Sequence, residues 1–105
     1  SPLAANNLAW LLATTQSPEL VDPERSINLI RPHVLYYENW QHMDTLAAGL
    51  ARKGQFAAAV NILDECLARA QSEADQTTYH AIELRREIYA RGKPFIEEDA
   101  AVDLE

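Results

Sequence analysis

The chain is expected to be all-α on three grounds: only three glycines occur in 105 residues, alanine and leucine dominate, and β-branched residues never gather into an alternating run. An apolar share of 48% suffices for one core if the helices share their surfaces, so a single domain is expected over residues 1–96.

Punctuation in the sequence divides it into five helical segments. Ser1-Pro2 has the order of an N-cap followed by a first-turn proline, and Leu3, Leu8, Leu11 and Leu12 then recur at helical spacing up to about Thr15. Residues 16–21 contain Ser17-Pro18 and read as a loop. Asp22-Pro23-Glu24 repeats the cap-then-proline signal and opens a second helix that buries Ile27, Leu29, Ile30 and Val34. Pro32 falls inside that helix, where it removes the donor that would reach Asn28 and crowds the same carbonyl, so a kink or early end is expected near residues 29–31. Tyr36-Tyr37-Glu38-Asn39 leads into a third helix from Trp40 to Lys53, with Asn39 as its cap and Gly54 as a left-handed terminator. A fourth runs from about Phe56 to Ala70. The polar residues 71–78 separate it from a fifth, about Tyr79 to Arg91, ended by Gly92 and closed by Pro94. Short turns between helices favour antiparallel neighbours.

The formal charge is −7, and Glu97, Glu98, Asp99, Asp103 and Glu105 supply five of those negative charges within the last nine residues. The body is therefore close to balanced, and residues 97–105 read as an acidic, flexible tail. A nucleic-acid partner is not expected, because the chain has no basic excess. The basic cluster Arg85, Arg86, Arg91 and Lys93 is interleaved with Glu83 and Glu87, which at helical spacing makes a paired, solvated face. No apolar stretch is long enough to span a bilayer and no signal peptide is visible, so membrane insertion is not expected; the chain reads as soluble, with bacterial cytoplasm and periplasm both open. The first residue is Ser1 and not Met, which suggests a processed form or a C-terminal piece of a longer protein.

Chemistry is sparsely represented. Cys66 is the single cysteine, so no internal disulfide forms, and His33, His42 and His80 lie on different segments without partners at ligand spacing. Asp44-Thr45 and Asp64-Glu65 supply carboxylates without a base or nucleophile beside them. With no Gly-rich phosphate loop and no Ser-His-Asp set, neither catalysis nor a cofactor or metal is expected.

The third and fourth segments place Met43, Leu46, Ala47 and Leu50 on one helix, Gly54 and Phe56 at the turn, and Ala59, Leu63, Cys66 and Leu67 on the next. Small residues such as Ala47 and Ala59 let paired helices approach, while Leu46, Leu50 and Leu63 fill the space between them. This pattern resembles the tetratricopeptide repeat. The same spacing can be laid over Ala5, Leu8, Ala9 and Leu12, then Ser26, Ile30 and His33, and again over Ala81, Leu84, Arg85 and Ile88. Residues 6–14 and 92–95 look like the end region of bacterial members of that family. The likeness departs where Met43 and Leu50 replace the usual Trp and Tyr, where Arg85 takes a small residue's place, and at Gln71, where no proline closes the repeat.

The resemblance implies an α-solenoid: a right-handed stack of antiparallel helix hairpins with repeat 1 at about 3–37, repeat 2 at about 40–70 and a capping helix at about 79–91. It also implies a concave face lined by the first helix of each repeat. Carried over, that face comprises Asn6, Trp10 and Thr14, then Gln41, Asp44, Ala48 and Arg52, then Tyr79, Glu83 and Arg86. Trp10 is the most informative of these, as an anchor for a partner or a surface buried against a further repeat. The expected function is a protein-protein interaction module that holds a protein or peptide as part of a bacterial scaffold. The alternatives are a structural module self-associating through its open first helix, and an accessory domain of a larger enzyme.

Overall fold

The computed structural model describes residues 1–37 and 39–98. Five helices follow one another, α1 (Pro2–Thr14), α2 (Pro23–Tyr37), α3 (Trp40–Arg52), α4 (Phe56–Ala70) and α5 (Gln76–Ala90), and no strand occurs among the described residues. The chain is all-α, as its composition and periodicity predict.

The helix starts follow from side chains that satisfy free amides. Ser1 Oγ accepts from the Ala4 amide, Asp22 Oδ1 from Arg25 at 3.0 Å, and Asn39 Oδ1 from Gln41 at 2.7 Å. Asp75 does the same for α5, accepting from the Thr78 amide at 2.7 Å, and this bond holds its carboxyl below the usual aspartate value. That cap starts α5 three residues before the expected Tyr79, so the last residues of the polar stretch are helical. At the other ends, Gly54 (φ 90°) and Gly92 (φ 75°) adopt the left-handed conformation expected of them.

The expected break at Pro32 does not occur, and α2 continues to Tyr37. Pro32 and Asn28 are both exposed, so water can reach the Asn28 carbonyl that the proline leaves without a donor.

Packing follows chain order: α1 rests on α2 and α3, α2 on α3, α3 on α4, and α4 on α5. The core is built from Ile27, Ile30, Met43, Leu46, Leu50, Leu63, Ile82 and Tyr89, with the small residues Ala9, Ala47, Ala59 and Cys66 at the points of close approach. Ser26 Oγ donates to the Ala9 carbonyl at 2.7 Å, which sets the start of α2 against the second half of α1. Cys66 Sγ donates to the Trp40 carbonyl at 3.1 Å and ties α4 to the start of α3. Both pairs are thereby antiparallel. Gly49 lets α3 approach α2, since a Cβ there would lie 3.0 Å from Ile27 Cγ1 and 3.1 Å from Ser26 Oγ.

On α5 the buried residues are Ile82 and Tyr89, while Leu84 is exposed, so the packing register expected from Ala81, Leu84, Arg85 and Ile88 holds only in part. Backbone contact between α5 and α3 is slight compared with that between α1 and α3. Side chains bridge the gap instead.

Candidate partner-binding face

The bridge between α3 and α5 is an ion pair. Arg85 Nη2 donates to Asp44 Oδ2 at 2.7 Å and Arg85 Nε to Asp44 Oδ1 at 3.2 Å, a two-point contact that fixes the plane of the guanidinium. Both side chains are largely covered, at 13% and 14% exposure. Burial pushes the Asp44 carboxyl above its ordinary value, against the opposing pull of Arg85.

The same guanidinium also meets two rings. Its central carbon lies 5.2 Å from the Trp10 ring centroid and 5.4 Å from that of Phe95, within cation-π range of both. The rings themselves are 6.0 Å apart and tilted by 42°. Trp10 comes from α1, so residues of three helices and the segment after α5 meet here.

Phe95 reaches this place because the chain turns back at Gly92 and residues 93–98 run to α1. There Trp10 Nε1 donates to Glu97 Oε2 at 2.6 Å, the Glu97 amide donates to the Thr14 carbonyl at 2.9 Å, and Gln16 Nε2 donates to the Glu97 carbonyl at 3.3 Å. The Thr14 hydroxyl donates to the Trp10 carbonyl at 2.8 Å and lies 3.5 Å from the Glu97 carboxylate. The Thr14 carbonyl belongs to the last turn of α1, where the helix itself leaves acceptors unpaired. Glu97, expected at the start of a flexible tail, is thus held against α1; residues 99–105 of that tail lie outside the described residues.

Beside this contact lies a cavity of about 430 Å³ lined by Leu3, Asn6, Asn7, Trp10, Trp40, Gln41, Asp44, Thr45, Thr78 and Arg85. Asn6 Oδ1 is buried there without a hydrogen-bond partner among the described residues. Four of the ten residues expected on the face, Asn6, Trp10, Gln41 and Asp44, therefore come together.

The other six do not line it. Thr14 and Ala48 are buried, at 1% and 2% exposure. Arg52 Nη1 donates to the Ala13 carbonyl at 3.0 Å, closing the end of α1. Tyr79 and Glu83 line a separate hollow at the turn between α4 and α5. Arg86 turns to α4, where its Nε lies 2.6 Å from Asp64 Oδ1. Arg85 occupies the place expected for Arg86, and the reason is geometric: neighbouring residues on a helix point about 100° apart.

Sequence reasoning missed Phe95, Glu97 and Gln16, which belong to no helix and carry no periodic signal. The aromatic Phe95 after Gly92 and Pro94 was the one available sign that the chain returns to the body. A second groove, of about 570 Å³, lies between α2 and α4 over Met43, Leu46 and Leu50, with Leu35 and Asn61 on its rim. Cys66 is fully buried, and burial together with the Asp44 charge pushes its thiol up to about 12, so it is protonated at neutral pH. No group of three or more His, Cys, Asp or Glu suited to a metal occurs among the described residues, and no helix there is long and apolar enough to cross a membrane. A scan against models of protein families finds no match, and comparisons with curated proteins and with solved structures likewise return none.

Proposed function

We propose that the chain is a tetratricopeptide-like interaction module, a short stack of two helix hairpins and a capping helix. In this reading α1, α3 and α5 present a common face that holds an extended segment of a protein partner. What carries the reading is the set of contacts around Trp10. An indole donor, a largely covered guanidinium fixed by Asp44, and the Thr14 carbonyl, which takes a main-chain amide from Glu97, converge there with a polar cavity beside them. Such a surface offers an apolar anchor, a cation and acceptors for a partner's backbone amides, which is what an extended peptide requires. Asn6 Oδ1 supplies one more acceptor for a ligand amide. The side chains on the face suit binding; none is arranged as a nucleophile with a base.

Peptides selected from a random library on the immobilised chain provide the test. Their affinity should fall at least tenfold for the variant Asn7→Ala with Gln41→Ala, whose side chains are exposed on the cavity rim. Leu35→Ala with Asn61→Ala, on the rim of the α2 and α4 groove, should leave it unchanged. The reverse pattern places recognition on the other side of the molecule and rejects the reading.

A second reading rests on Leu3 and Leu11, which are exposed on α1 at 70% and 47%. They make self-association through the first helix a distinct function of that surface. Light scattering across a concentration series separates the two, because a dimer lost in Leu3→Glu with Leu11→Glu assigns α1 to a second copy.

A further inference from the structure

The residues after α5 rest on the proposed face as a ligand would. Pro94 to Glu98 lie outside helix and strand, and Phe95 is only half-buried while Ile96 and Glu97 stay exposed. Their hold on the body is nevertheless specific. The ring of Phe95 packs on Trp10 under Arg85, the Glu97 carboxylate takes the Trp10 indole, and the Glu97 backbone is read on both sides, its amide by Thr14 and its carbonyl by Gln16. One ring, one carboxylate two residues later and one main-chain unit are thus recognised. Ile96 between them, with 46% exposure, is not.

We propose that Phe95-Ile96-Glu97 is a resident pseudo-ligand, and that the partner is a protein segment carrying an aromatic residue followed two positions later by Asp or Glu. It binds the same Trp10, Arg85 and Thr14 groups by displacing the chain's own segment. The proposal rests on the interaction-module reading and adds to it the partner's chemistry and a built-in competitor. Two observations favour exchange over a permanent seal. The segment begins beyond the Gly92 and Lys93 amides, which close α5 on the Tyr89 and Ile88 carbonyls, so it can swing clear without disturbing α5. The segment itself is also only partly covered: Phe95 packs at the edge of the core and stays half-buried, and Ile96 and Glu97 are exposed. A tethered competitor at an effective concentration on the order of millimolar lowers the apparent affinity for a partner in proportion to the fraction of time that the face is open.

The test uses the full chain with Phe95→Ala and Glu97→Gln, and a synthetic peptide of residues 92–98 as the probe. Calorimetric titration should show saturable binding to this variant and at least tenfold weaker binding to the wild-type chain. A peptide carrying the same two replacements should not bind. In amide spectra of the variant, the indole proton of Trp10 should return to its wild-type position as the peptide is added. A variant that keeps its helical circular dichroism and melt but takes up no peptide at millimolar concentration overturns the proposal. Should the variant fail to fold, the wild-type chain decides: excess peptide must move the Glu97 amide of the labelled protein to its random-coil position, and an unmoved amide overturns the proposal. Binding of library-selected peptides at Asn7 and Gln41 with the Glu97 amide unmoved likewise overturns it, while leaving the interaction-module reading standing. A concentration-dependent wild-type dimer that Phe95→Ala abolishes assigns the exchange to a second copy and overturns the partner of foreign sequence.

Discussion

At the scale of single residues, Arg85 shows how one side chain can be misread and still organise a site. In the repeat pattern it stands where a small residue belongs, and a long cation there would ordinarily be costly to cover. Asp44 resolves the conflict by taking two of its donors, and the rings of Trp10 and Phe95 cover its face. Sequence periodicity can place Arg85 and Arg86 on one helix, but only the position of Asp44 and Asp64 on α3 and α4 tells which of the two turns inward. A second residue makes a measurable prediction. His42 is buried at the α2 and α3 contact, edge-on to His33 with 5.9 Å between ring centroids, and its Nδ1 has no partner among the described residues. Burial, and after it the His33 charge, pushes its pKa below the ordinary 6.5. A histidine with a depressed folded pKa contributes its stability fully above the unfolded value and loses it as pH falls through the folded one. The melting temperature should therefore drop between pH 7.5 and pH 5, and the drop should be smaller in His42→Gln. Equal drops in both proteins would show that His42 plays no part.

At the scale of helices, the sequence was most legible where caps and periodicity agree. For α3 and α4 the expected bounds hold within a residue, because Asn39, Gly54 and the apolar spacing all point the same way. It was least legible where one local signal opposes tertiary context, as at Pro32, or where a cap stands among other polar residues, as Asp75 does. Gly49 carried no signal at all, since close approach to Ser26 and Ile27 depends on a partner helix. The hairpin of α3 and α4 can be tested through adjacent alanines. Ala59 is fully buried and Ala58 is exposed. Ala59→Leu should cost roughly 1–3 kcal/mol by overpacking, and Ala58→Leu much less in the same denaturant melts. Equal costs would put the register of α4 in error.

For the whole molecule, five helices with a radius of gyration of 13.0 Å make one compact body, and its all-helical class could be read from composition and turn chemistry. The candidate face could be read only in part. Asn6, Trp10, Gln41 and Asp44 lie together because helical spacing puts each pair on one face and α1 packs on α3, whereas the return of residues 93–98 to α1 follows from tertiary contacts alone. Residues 95–97 on α1 turn a set of hairpins into a face with an occupant, and the indole proton of Trp10 reports on that occupant directly. In nitrogen-proton correlation spectra of the intact chain, the Trp10 indole should lie downfield of the Trp40 indole, as a donor to a carboxylate does. In Glu97→Gln it should move upfield while Trp40 stays in place. A Trp10 indole that is indifferent to Glu97→Gln, together with a Glu97 amide exchanging with solvent as fast as an unfolded one, would contradict the account.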